Sequence, residues 1–433
     1  QTSIQLNWTD NATNEAAYAI NRSTDGINFS FLAQTAADAT SFNDTGLIPG
    51  TTYFYQVYAA TEGASSSSIS GSQATNAAGS DSCAGAGGDW SNTATWADGS
   101  VPTASDNVTI GSGCTVAVDT AGAVALNVTV DSGGTLQSPT TGTVTTNNLT
   151  VGGNVTNNGV LDFSTNADTS GAILTFVPPI ANVTFGGTGA TTDIRAITVV
   201  KGATTSTVEL NPTNFTVLGV NTDTAGFLTL TSGTFKISGT FTIANRVFTA
   251  AGYSIPAIGG FWLNNSNFTV SGQNGSPTNN GLLRISGGIY NVGTSAGNSL
   301  GGGAGAVFTI EGGTVNTAGR LQTTSAITYN QSGGDVNVCT VGNTATTACF
   351  GLTSTTNTFN MSGGNITLVL PSTNATPLDY SVSTSATVVW ITNPAVTVLN
   401  IGTGAAAEIF RVTGSTPSLN IPANKTMNVG SGA

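Results

Sequence analysis

Between Phe227 and Leu368 apolar and polar residues alternate one by one, and the alternation keeps breaking at a small residue followed by glycine. One copy runs through residues 282–292 around Ser286-Gly287-Gly288. Others run through 308–315 around Glu311-Gly312-Gly313, 329–338 around Ser332-Gly333-Gly334 and 359–368 around Ser362-Gly363-Gly364. A looser copy occupies 228–237 around Ser232-Gly233. Period-two alternation puts every second side chain on one face, so each half-phrase predicts a short strand with one buried side. The glycine pair supplies the positive-φ backbone that turns the corner between two strands.

The copies recur at roughly 21 to 30 residues, the range of solenoid repeats. A unit of that size holds about three short strands and three corners, one coil of a parallel β-helix. A β-sandwich also has short alternating strands, but it gives no reason for one phrase to return in register. From Val108 to Leu230 the pattern is looser, as in residues 125–136 and 149–156, and Pro178-Pro179 and Pro212 mark corners or breaks. The expected fold class is all-β: an N-terminal sandwich followed by a long right-handed parallel β-helix.

Residues 1–76 differ from the rest. Ile4 to Trp8 and Tyr18 to Ser23 predict strands, and Leu47-Ile48-Pro49-Gly50-Thr51-Thr52-Tyr53 leads into Tyr53-Phe54-Tyr55-Gln56-Val57-Tyr58-Ala59. The Trp8 position, the Leu-x-Pro-Gly-Thr-x-Tyr corner and the strand after it resemble a fibronectin type III domain. The resemblance implies a sandwich core built on Trp8, Tyr53 and Tyr55, with the Tyr53 hydroxyl bonding backbone at a corner. It also implies that the family's first strand is missing before Ile4. The strand of Ile4 and Leu6 then has an unpaired edge, read either as the mark of a trimmed first strand or as a place where a neighbouring chain donates a strand.

Residues 77–88 read as a linker, and 89–433 as the solenoid. Trp90 and Trp96, with Val101-Pro102, 106–110 and Cys114-Thr115-Val116, resemble the opening motif of solenoids in large secreted surface proteins of Bacteroidota type. That resemblance implies that the two indoles cap the first coil; stacking on sugar rings is the alternative. The four cysteines fall as local pairs, Cys83 with Cys114 and Cys339 with Cys349. Two short-loop disulfides are expected, hence an extracellular, cell-surface setting; four buried thiols are the alternative.

Composition narrows the chemistry. Of 433 residues, 9 are basic and 21 acidic, for a net charge of −12, and there is no histidine. The basic residues are scattered singly, which argues against nucleic acid and anionic membrane as partners, and no apolar run is long enough for membrane insertion. Absence of histidine removes Ser-His-Asp and Cys-His catalysis and histidine metal sites. Carboxylate chemistry remains, and β-helices do host glycan-cleaving enzymes. Yet Asn221-Thr222-Asp223 stands without paired aspartates, and Asp162, Asp168, Asp193, Glu209, Asp223, Glu311 and Asp335 are dispersed. Asp193 and Arg195, two apart, are expected to share a face and pair. For calcium, Asp89 with Asp106 and Asp38 with Asp44 are the nearest candidates, without ligand spacing.

These readings predict no enzyme, no catalytic residue, no metal and no cofactor. The expected function is a rod-like subunit of a surface filament, appendage or adhesive matrix. Head-to-tail self-association is expected between the edge of Ile4 and Leu6 and an uncapped far end at Leu419, Ile421, Met427 and Val429. Two alternatives stand beside it. One is an adhesin that binds surface glycans through Trp90, Trp96, Trp262, Tyr290 or Tyr329; the other is a polysaccharide-degrading enzyme.

Overall fold

The computed structural model describes residues 3–48, 50–61, 63–75, 79–220, 223, 225–344, 349–354 and 356–369. For the strand segments Tyr380–Thr384, Val388–Val389, Val398–Ile401, Phe410–Gly414, Leu419–Asn420 and Thr426–Val429 only the strand path is described.

The N-terminal segment forms antiparallel strands β1 (Ser3–Asn7), β2 (Ala17–Ser23), β3 (Ser30–Ala36), β4 (Ser41–Thr45), β5 (Thr52–Thr61), β6 (Ala64–Ser65) and β7 (Ile69–Ala74). β1 pairs with β4, while β3, β2, β5 and β6 form a second sheet in which β7 also pairs with β5. Between them Ile4, Trp8, Tyr18, Ile20, Leu47, Tyr53, Tyr55 and Val57 make one buried cluster. Tyr53 Oη accepts the Ile48 N–H at 3.0 Å, and Tyr55 Oη donates to Asp44 at 2.7 Å. Both phenols thus keep a polar partner while their rings fill the core.

From residue 79 on, every strand ladder among the described residues is parallel, and the chain winds through about eleven turns of a β-helix with almost no helix. The first face runs through Gly79–Ser82, Asp106–Ile110, Asn127–Val130, Val155–Asn157, Val183–Gly187 and Thr207–Pro212. It continues through residues 233–237, Gly259–Leu263, Leu282–Ile285, Val307–Ile310 and into Thr328–Val338 and Thr358–Leu368. The other two faces stack likewise among the described residues, but each is interrupted in the middle of the solenoid. The second stops at Thr216–Val217 and resumes at Ile243–Asn245; the third stops in Leu228–Ile237 and resumes at Ser254–Ile255. Across the gap in the third face there is one isolated bridge, Leu228 to Phe248.

Alternation explains the interior. Phe235, Phe261, Leu283 and Phe308 stand in register on the first face and are fully buried, as are Ile237, Leu263, Ile285 and Ile310 two positions on. Aromatic rings run down the axis, with Phe248 5.4 Å from Phe261, Phe261 5.8 Å from Tyr290, and Tyr329 stacked on Phe359 at 5.3 Å. Outside, asparagines pair turn to turn: Asn316 donates to Asn291 at 2.8 Å and Asn337 to Asn316 at 2.9 Å. The recurring glycine pair does what its chemistry allows. Gly288, Gly313, Gly334 and Gly364 all take positive φ, between 66° and 78°. A Cβ on Gly313 or Gly334 would come within 2.6 Å of a glycine carbonyl in the turn below.

One expectation is corrected here. Residues 77–88 are not a linker throughout, because Gly79–Ser82 and Gly87–Asp89 are already strands, paired in parallel with Asp106–Ile110 and Thr115–Ala117. Their Gly/Ser composition hides this, since the strand is held by its neighbour's backbone rather than by its own side chains. At the far end, Leu419–Asn420 pairs with Val388–Val389, and Thr426–Val429 with Val398–Ile401. Ile421 lies outside the described residues, as do the side chains of Leu419, Met427 and Val429.

Candidate functional site

Both cysteine pairs are disulfide-bonded: Cys83 to Cys114, with Cα atoms 6.4 Å apart, and Cys339 to Cys349, with Cα atoms 5.9 Å apart. The first ties the opening strand segment to the next turn, and the second closes a loop of the tenth-residue separation expected from spacing. Trp90 and Trp96 sit beside the first bridge, edge to face at 4.8 Å, and the Trp96 indole donates to the Trp90 carbonyl at 2.9 Å. Both are buried, as are Tyr290 and Tyr329. A sugar ring therefore has no open face at any of these four, which corrects the stacking alternative for them.

Trp262 is the half-buried member of the group, and it lies in a charged strip on the first face. Lys236, Trp262 and Arg284 occupy one register, and alternation points all three outward. The Lys236 ammonium lies 4.4 Å and the Arg284 guanidinium 3.8 Å from the indole centroid. Each cation has its own carboxylate: Lys236 pairs with Glu209 at 2.8 Å, and Arg284 grips Glu311 through two bonds of 3.0 and 2.9 Å. Ser286 donates to Glu311 at 2.6 Å and accepts the Trp262 N–H at 2.8 Å. Opposing the penalty of partial burial, these bonds hold the Glu209 and Glu311 carboxyls below the usual range. The strip is thus a self-satisfied ladder, with its ring already occupied by cations.

Of the dispersed acids, the structure brings three near one another. Asp162 and Asp193 are register partners in successive turns. Asp193 is buried, accepts the Thr216 hydroxyl at 2.8 Å, and receives the Gly219 N–H at 2.9 and 3.0 Å. Burial pushes its carboxyl up to about 6, with Asp162 and Asp168 adding to the rise against the lowering hydrogen bonds. The expected Asp193–Arg195 pair does not form, because Arg195 donates instead to the Asp168 carbonyl at 2.8 Å. Asn221 and Thr222 lie outside the described residues; Asp223 pairs with Arg246 at 2.9 Å. A carboxyl titrating near 6 can exchange a proton near neutrality.

Lys201 is the functional-looking group that sequence reasoning missed. It is 4% exposed, and its ammonium donates to the carbonyls of Val177, at 2.8 Å, and Ile180. Burial alone pulls it down from 10.5 to about 8. Nothing local marks Lys201, since its carbonyl partners lie a full turn away.

In the N-terminal segment, Ile4 is buried and Leu6 half-buried, and both line a groove of about 270 Å³ with Trp8, Tyr55, Val57 and Ile69. Residues of β1, β5 and β7 line it, and none of β4 does. Asp44, one of the calcium candidates, is taken by Arg22 at 3.0 Å and by Tyr55.

The repeated parallel ladders define a parallel β-helix protein. No protein-family description matches the chain, and no curated protein does either. Among solved structures it is similar to pectate lyase Pel3 from Pectobacterium carotovorum, at 12% identity over 87% of this chain and 89% of that one, with a TM-score of 0.16. It is also similar to pectate lyase PelI from Erwinia chrysanthemi, at 14% identity with the same coverage and TM-score. Both are enzymes, so the expectation that this chain is no enzyme is withdrawn. At that identity and TM-score the likeness transfers no activity.

Proposed function

We propose that the chain is an extracellular structural rod whose N-terminal module, of fibronectin type III kind, offers an edge for association with a second copy. The ladder of the first face carries the reading. It runs without interruption from Gly79 into Thr358–Leu368, and turns spaced about 4.8 Å apart give a stiff body on the order of 50 Å long. Two disulfides support an oxidising, cell-surface location. Buried Trp90 and Trp96 support the capping role at the first turn, and two sheets packed over Trp8 support the fibronectin reading.

The edge is β1. Trp8 N–H bonds Thr40 O at 3.0 Å, so by antiparallel alternation the Gln5 N–H faces away from β4, beside the apolar groove. Purified protein should therefore form oligomers that grow with concentration in sedimentation and electron microscopy. Gln5→Pro removes that outward N–H, keeps the β1–β4 bonds, and should leave single particles. A wild type that stays single at every concentration sinks the association; a particle far shorter than about 50 Å sinks the rod.

A second reading, glycan cleavage, is favoured by Asp193, whose carboxyl is raised to about 6 beside Asp162 and Asp168. Turnover of pectins, alginates or glucans that disappears in Asp193→Asn would establish it.

A further inference from the structure

Two of the crossovers of the N-terminal sandwich meet at one end. Residues 8–16 carry the chain from β1 to β2, and residues 37–40 carry it from β3 to β4, so each links one sheet to the other. Asp10 and Glu15 lie on the first crossover and Asp38 on the second. One carboxylate oxygen from each of the three lies within 4.8 Å of the others. The four ion pairs formed among the described residues involve none of them.

Glu15 makes the cluster more than an acidic patch. The residue is 9% exposed, and Oε1 accepts the N–H of Asp38, whose backbone is left-handed at φ 59°, at 3.1 Å. Its second oxygen, Oε2, is buried without any hydrogen-bond partner. A carboxylate oxygen withdrawn from water and left bare is costly, and two further carboxylates beside it make it costlier. Asp10 is also fixed in place: Oδ1 accepts the Ala12 N–H at 3.0 Å and the Tyr18 hydroxyl. Asp10 is half-buried and Asp38 exposed, which leaves the cluster open to solvent on one side.

We propose that Asp10, Glu15 and Asp38 form a binding site for a hard divalent cation of the calcium class, which clips the two crossovers together. The donors are all carboxylate oxygens, the set that calcium takes, and water from the open side completes six to eight ligands. A cation supplies what Glu15 Oε2 lacks and cancels the mutual repulsion of three acids. Asp38, considered from sequence with Asp44, thus finds different partners, because Asp44 is already engaged by Arg22. The site stands apart from the solenoid and does not depend on how the rod is used.

The test uses the full chain, stripped with a chelator and titrated with calcium chloride by calorimetry. Terbium luminescence reads the same site, because Tyr18 bonds the ligand Asp10 and packs 5.4 Å from Trp8, placing two sensitisers beside the ion. One saturable calcium site is expected, together with terbium emission that calcium displaces. Glu15→Gln should weaken binding at least tenfold. Asp38→Asn, a change on an exposed side chain that leaves the fold intact by circular dichroism, should do likewise. Absence of saturable binding by millimolar calcium overturns the proposal, and so does unchanged affinity in Asp38→Asn.

Discussion

Lys201 gives a pH dependence whose sign can be worked in advance. Its ammonium is buried against two carbonyls, and burial lowers its folded-state value from 10.5 to about 8. Between those values the unfolded chain holds a proton that the folded chain has released. Stability therefore rises with pH across this window, and the contribution is lost again as pH falls through about 8. From pH 7 to pH 9.5 the gain is about 2 kcal/mol. A solenoid of about 350 residues has an unfolding entropy near 0.7 kcal/mol/K, so the melting temperature should gain about 3 °C. Buried tyrosines such as Tyr329 titrate above this range and are common to both proteins in a comparison with Lys201→Met. The assay is thermal melting of wild type and Lys201→Met by circular dichroism, at steps between pH 7 and pH 9.5. The difference between the two curves should change by about 3 °C in favour of the wild type as pH rises. Curves that stay parallel would show that the ammonium is solvated, and the reasoning from burial would fail.

Three further outcomes follow from packing and charge. Phe261→Ala empties a fully buried position between Phe248 and Tyr290 and should cost about 3–5 kcal/mol in denaturant unfolding. Replacing Cys339 and Cys349 together by serine opens a loop of separation 10 and should cost about 3 kcal/mol, read as a lower melting temperature under non-reducing conditions only. Asp193 has a folded value raised to about 6, so its contribution is greatest below about 4 and lost as pH rises to 6. Asp193→Asn should flatten that part of the stability profile, and an unchanged profile would mean the carboxyl is not buried as described.

How much of this was legible depended on where the determining contacts lie. The Gly-Gly phrases announced the coil because their cause is local: a positive-φ corner between alternating strands, repeated at Gly288, Gly313, Gly334 and Gly364. The cysteine pairs were legible for the same reason, being close in sequence. The strands Gly79–Ser82 and Gly87–Asp89 were not, because they carry no apolar pattern and owe their shape to the next turn. The charged strip was hidden too. Glu209, Lys236, Trp262 and Arg284 lie some 22 to 27 residues apart, and loops of unequal length set which of them stack. Asp193 and Lys201 look like surface residues in the sequence; only the depth of the neighbouring turns buries them.

The interruption of two faces near residues 216–254 has a mechanical consequence. In the described turns on either side three sets of backbone bonds share any pull along the axis, whereas at this seam the first face bears nearly all of it, helped by the bridge from Leu228 to Phe248. A molecule stretched from its ends should part there first, into an N-terminal and a C-terminal block that each keep their own interior.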